Sequence, residues 1–169
     1  MKNMFVFWFL MVIVILPQKN YKIILDEKSG NSMAVGECPP EVFRDSSFSW
    51  WFNAEMNNYE VKSELLNKQI LNTEGISITT VLGTWCSDSR REVPRFVKIL
   101  KEINFPTDKN RFICVDRTKD AFFVDIEELD IKLVPTFIVT RDGAELGRII
   151  ETPIVSLEQD LIDILLRAK

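Results

Sequence analysis

The stretch that most constrains this chain runs from Ile76 to Leu100. An apolar, β-branched run (Ile76, Ile78, Val81, Leu82) leads into Gly83-Thr84-Trp85-Cys86-Ser87-Asp88-Ser89, and an amphipathic run (Val93, Phe96, Val97, Leu100) leads out. Those spacings predict a strand, a tight turn and a helix, with Cys86 in the helix's first turn. A cysteine there faces unpaired N–H groups and the positive end of the helix dipole, which favour thiolate over thiol. Arg90 and Arg91 add positive charge one turn on, and Asp88 opposes it. A thiolate is the nucleophile in disulfide exchange, so chemistry is expected at Cys86.

Trp85-Cys86-Ser87-Asp88-Ser89 resembles the Trp-Cys-x-x-Cys active site of the thioredoxin superfamily, with Ser89 in place of the second cysteine. Pro94, eight residues beyond Cys86, is similar to the proline that kinks the family's active-site helix. Asp130-Ile131-Lys132-Leu133-Val134-Pro135-Thr136-Phe137 resembles the stretch carrying its cis-proline, and Thr140-Arg141-Asp142-Gly143-Ala144-Glu145 the hairpin joining its last two strands. The resemblance runs from about Ile76 to the C-terminus. It implies an α/β, thioredoxin-like fold: a central mixed β-sheet flanked by helices, here with an N-terminal helical extension. It also implies catalytic roles for Cys86 and Ser89, and a substrate-binding surface at Trp85, Val134, Pro135 and Thr136. There the family pairs the backbone beside the cis-proline with an extended peptide.

Two departures shape the expected activity. A dithiol reductase attacks with one thiolate and resolves the mixed disulfide with a second thiol. Ser89 cannot take the second step, although it can donate a hydrogen bond to a Cys86 thiolate. Dithiol reduction through Cys86 and Ser89 is therefore excluded. Monothiol exchange remains: isomerisation, glutathione-linked chemistry, or holding a client as a mixed disulfide. Six residues before Cys86, where dithiol thioredoxins have a buried Asp as proton acceptor, this chain has Thr80. Proton handling then falls to water or the attacking thiol. Two readings stand: a monothiol oxidoreductase, or a non-enzymatic module binding extended peptides at the cis-proline groove. The partners expected are client proteins with cysteines or extended peptides, and a low-molecular-weight thiol. No cofactor is expected.

Composition narrows the alternatives. The chain has no histidine, which removes Cys-His and Ser-His nucleophile pairs and His-ligated metal sites. The net charge is −4, and no basic stripe marks a nucleic-acid partner. Cys38, Cys86 and Cys114 form no C-x-x-C pair, so no metal site is expected. Cys114, in the apolar run Arg111–Asp116, is expected in the core. Cys38, before Pro39-Pro40, is either an idle exposed thiol or a partner for Cys86.

Three segments are expected. Residues 1–20 hold a basic start and an apolar core from Met4 to Leu16, short for a span of roughly 20 apolar residues. This predicts export to the periplasm or cell envelope, by cleaved signal or uncleaved anchor, with membrane contact through this segment alone. A true start at Met33 would instead give a cytosolic protein. Residues 21–44, rich in Gly, Ser and Pro, read as a linker in which Tyr21–Leu25 could form a short strand. Residues 45–169 form the thioredoxin-like domain. Ser46 or Ser47 caps a helix with Phe48, Trp51, Phe52, Met56 and Tyr59 on its core face, a pattern extending toward Leu71. The strand, active-site turn and helix follow. Then come a central strand (Phe112–Val115), a helical or irregular segment (Asp120–Leu129), a hairpin on Asp142-Gly143, and a last helix capped by Ser156 with Gln159.

Overall fold

A computed structural model describes residues 19–66 and 72–167. The six strands are β1 (Tyr21–Leu25), β2 (Ser32–Glu37), β3 (Ile76–Leu82), β4 (Asn110–Cys114), β5 (Thr136–Arg141) and β6 (Ala144–Ile150). They lie in the order β1-β2-β4-β3-β5-β6. The helices are α1 (Ser46–Asn58), α2 (Ser87–Glu102) and α3 (Leu157–Leu166). β3 and β4 are parallel, which requires the crossover that α2 supplies; the other strand pairs are antiparallel. The unit β3-α2-β4 followed by β5-β6-α3 makes the fold thioredoxin-like, with a mixed central sheet.

Local chemistry explains the junctions. Asp142 and Gly143 have φ of 50° and 85°, the pair of positive angles that a two-residue β5–β6 turn requires. Ser156 accepts from the Gln159 N–H at 3.2 Å and caps α3. Pro94 lies inside α2 and is buried there. One face of the sheet packs Ile76, Ile78, Phe112, Phe137 and Val139 against apolar residues of all three helices, including Trp51, Phe96 and Leu161. The other face carries a smaller cluster, Val81, Ile113, Val115 and Val134, covered by Ala121 and residues of the irregular stretch after β4.

Several expectations need correction. Residues 21–44 are not a linker. β1 and β2 form a hairpin, Met33, Ala34 and Val35 are buried, and Pro40–Arg44 is a 3-10 turn burying Val42 and Phe43. The Gly-Asn-Ser cluster closes this hairpin. Asp26 accepts hydrogen bonds from the Ser29 hydroxyl and the Lys28 N–H, and Gly30 takes the left-handed φ of 71°. Cys38 is not exposed: it is 2% accessible and packs in the larger core. α1 stops at Asn58 rather than running toward Leu71. Tyr59 is extended, and the chain turns so that the Tyr59 hydroxyl and Lys62 N–H both reach Glu158, at 2.7 and 3.2 Å. Residues 67–71 lie outside the described residues. Of the two alternatives for Asp120–Leu129 the irregular one holds, with a 3-10 turn at Glu127–Leu129. The signal or anchor segment also lies outside the described residues up to residue 18. Among those described, no helix is long and apolar enough to cross a membrane.

Candidate functional site

Cys86 is the residue before the first turn of α2. Its N–H donates to the Gly83 carbonyl (2.9 Å), and its own carbonyl accepts from the Arg90 N–H (3.0 Å). These bonds fold the turn so that the side chain leaves the sheet on the side of the smaller cluster. The thiol is half-buried and donates to the Val134 carbonyl at 3.3 Å.

The loop before β5 brings that carbonyl to the sulfur. The Val134–Pro135 peptide is cis. Val134 and Thr136 are buried, and the Thr136 hydroxyl donates to the Leu133 carbonyl at 2.7 Å, closing the loop on itself. Leu133 beside them is 45% exposed, so the loop presents an apolar rim next to Cys86. Val134, Pro135 and Cys86 thus stand together, brought there by two loops 48 residues apart in the chain.

Trp85 is held on three sides. Its indole N–H donates to the Val115 carbonyl at 2.9 Å, and the Arg117 guanidinium lies over the ring at 4.7 Å. Beneath it is Gly83, where a Cβ would come within 2.6 Å of the indole. Glycine is required there by close approach.

Ser89 sits one turn into α2, fully buried. Its oxygen accepts from the Gly83 N–H at 3.2 Å, so this serine orders the turn before α2; the sulfur's hydrogen bond goes to Val134 instead. Thr80 is buried under the turn, and its hydroxyl donates to the Asn110 side-chain oxygen at 3.0 Å. That neutral pair holds β3 to β4. It offers no carboxylate to take a proton.

Three contributors escaped the sequence reading. Asp26, in the β1–β2 turn, binds Arg117 through two bonds of 2.8 Å and fixes the guanidinium over Trp85. The Arg117 hydrogen bond, followed by that from Ser29, holds the Asp26 carboxyl well below the usual carboxylate range. The Asp26 carboxylate in turn raises Arg117, and Cys86 lies within electrostatic reach of this cation. Thr84 is fully buried; its hydroxyl oxygen accepts from the Ala34 N–H (3.1 Å), and its carbonyl accepts from the Arg90 side chain (2.6 Å). Nothing local in the sequence signals Asp26, which lies 91 residues from its partner. Arg90 alone stood out, as a charge near the helix start.

No protein-family model and no curated protein sequence matches the chain. Among solved structures it is similar to a thioredoxin from Fasciola hepatica, with 24% identity over 62% of this chain and 91% of that one, at a TM-score of 0.39. It is also similar to a Pseudomonas aeruginosa protein of unknown function, with 14% identity over 70% and 80% of the two chains and a TM-score of 0.46. A Trypanosoma brucei brucei thioredoxin gives 25% identity over 64% and 88%, at 0.38. These overlaps are partial, and the fold is read from strand order and register.

Proposed function

We propose that this chain is a monothiol thioredoxin-like protein of the cell envelope that uses Cys86 for thiol–disulfide exchange. One observation carries the reading: a half-buried thiol at the start of α2, 3.3 Å from the carbonyl beside the cis-proline, with buried Ser89 where a resolving thiol would sit. Deprotonated Cys86 attacks a sulfur of a client disulfide; the new S–S bond forms as the old one breaks and the other client sulfur leaves as thiolate. The Cys86 proton passes to water or to that leaving thiolate, since Thr80 and Asn110 offer no base. Release requires a second attack, by another client thiol, which isomerises the client, or by a low-molecular-weight thiol. Trp85, Val134, Pro135 and Thr136 form the surface against which an extended client lies.

The test is thiol trapping in the native host. Clients caught on Cys86 as mixed disulfides, in the envelope fraction and absent with Cys86→Ala, support the reading. Their absence from the wild type contradicts it. One observation favours the second reading, a peptide-binding module. The bond to the Val134 carbonyl is made by the thiol and not by the thiolate, so a protein that keeps it offers the groove without the nucleophile.

A further inference from the structure

The larger core holds two cysteines that the site above does not use. Cys38 follows directly on β2, and its N–H donates to the Phe112 carbonyl of β4 at 3.0 Å. The register pairs Gly36 with Cys114 and Glu37 with Ile113, so Cys38 stands opposite Phe112. Cys38, Phe112 and Cys114 all join the same core cluster, on one face of the sheet. The two residues are 2% and 0% accessible, and Cys38 stands diagonally across the ladder from Cys114, one same-face pair along.

Their position in the fold gives the pair a task. β1 and β2 are matched over five residue pairs, but β2 is matched to β4 over only two. The hairpin is therefore weakly laddered to the rest of the sheet. It also supports the active turn, through Ala34 to Thr84 and through Asp26 to Arg117 over Trp85. A covalent link at Cys38 and Cys114 would lie at the end of the short ladder, where the backbone alone holds least.

We infer that Cys38 and Cys114 are a disulfide-forming pair that fastens the N-terminal hairpin to β4. The oxidant is a disulfide of low molecular weight. One cysteine thiolate attacks it and releases a first small thiol; the second cysteine then attacks the mixed disulfide and releases another. The pair loses two electrons and two protons, and both protons end on the released thiols. Burial, then the neighbouring Cys38 thiol, push the Cys114 thiol well above its ordinary value. The closed fold is thus slow to react at neutral pH, and the bond forms while the chain folds or when the hairpin lifts. Closing a loop of about 75 residues removes much of the unfolded chain's freedom.

The experiment refolds the full chain in a buffer of oxidised and reduced glutathione, blocks free thiols with an alkylating agent in denaturant, and maps the peptides by mass spectrometry. The result expected is a Cys38–Cys114 linked peptide, two hydrogens lighter than its parts, with neither cysteine in a linkage to Cys86. Reduction of the wild type should lower Tm by about 5–15 °C. Cys38→Ala should show no such redox dependence. Three alkylated cysteines after oxidative refolding, a link from Cys38 or Cys114 to Cys86, or a Tm indifferent to reduction would each overturn the inference. The oxidised and reduced wild type can be compared even if the variant fails to fold. Adducts on Cys86 are read on a different peptide, so exchange at that site stands or falls separately.

Discussion

Asp26 and Arg117 face each other through two hydrogen bonds of 2.8 Å, joining the β1–β2 turn to the loop after β4. The pair is the outer support of Trp85. Asp26→Asn removes the charge that holds the guanidinium, so Tm should fall by several degrees and Trp85 emission should change. The Asp26 carboxyl is held below its ordinary value near about 4. Its contribution is therefore present above that pH and is lost as pH falls through the depressed folded value. Thermal melts of both proteins across pH 2–7 should show the gap between them closing toward the acid end. A gap that widens there contradicts the assignment.

Tyr59 donates to Glu158 at 2.7 Å and ends α1 in doing so. Burial works to raise the Glu158 carboxyl, but hydrogen bonds, first from the Tyr59 hydroxyl and also from the Lys62 N–H, outweigh it and leave it lowered. Tyr59→Phe should cost about 1.5–3 kcal/mol in urea denaturation near neutral pH. The cost should shrink as pH drops below about 4.3, where the unfolded carboxyl takes a proton.

Gly83→Ala places a methyl where the Trp85 indole lies, 2.6 Å away, and neither backbone nor ring can yield without loss. The variant should lose about 1–3 kcal/mol of stability. It should also free the indole from Val115, which tryptophan fluorescence would record as a shift to longer wavelength.

Much of this arrangement was legible in the chain. The apolar, β-branched run of Ile76, Ile78 and Val81, the helical spacing of Val93, Phe96 and Leu100, Asp142-Gly143, and Ser156 with Gln159 each specify a local element by a local rule. The hairpin of β1 and β2 was harder to see. Its closing turn has the composition of a linker, and β2 joins the rest of the sheet only through β4, about 75 residues on. The end of α1 was hidden for a similar reason, since Tyr59 leaves the helix to meet Glu158, 99 residues away. Cys86, Trp85 and the Val134–Pro135 loop were named from motif and order. The supports of Trp85 depend on tertiary contacts, and no spacing reveals them.

Ser89→Cys tests the missing thiol. The Ser89 oxygen accepts from the Gly83 N–H at 3.2 Å, and sulfur accepts less well, so the exchange should cost about 1 kcal/mol. The variant should close a disulfide with Cys86 and gain reduction of a model protein disulfide when given a dithiol donor. Turnover should stay modest, because Thr80 is bound to Asn110 and supplies no proton acceptor. A disulfide-reduction assay on the wild type and the variant decides it; no gain with Ser89→Cys counts against an active-site role for the turn.

The most direct test of exchange at Cys86 is intact-mass spectrometry of the folded protein after brief exposure to oxidised glutathione at neutral pH. The account predicts one glutathione adduct, mapped to Cys86, that persists until an external thiol releases it and is absent in Cys86→Ala. A folded wild type that gains no adduct, with Cys86 as slow to alkylate as buried Cys114, would contradict it.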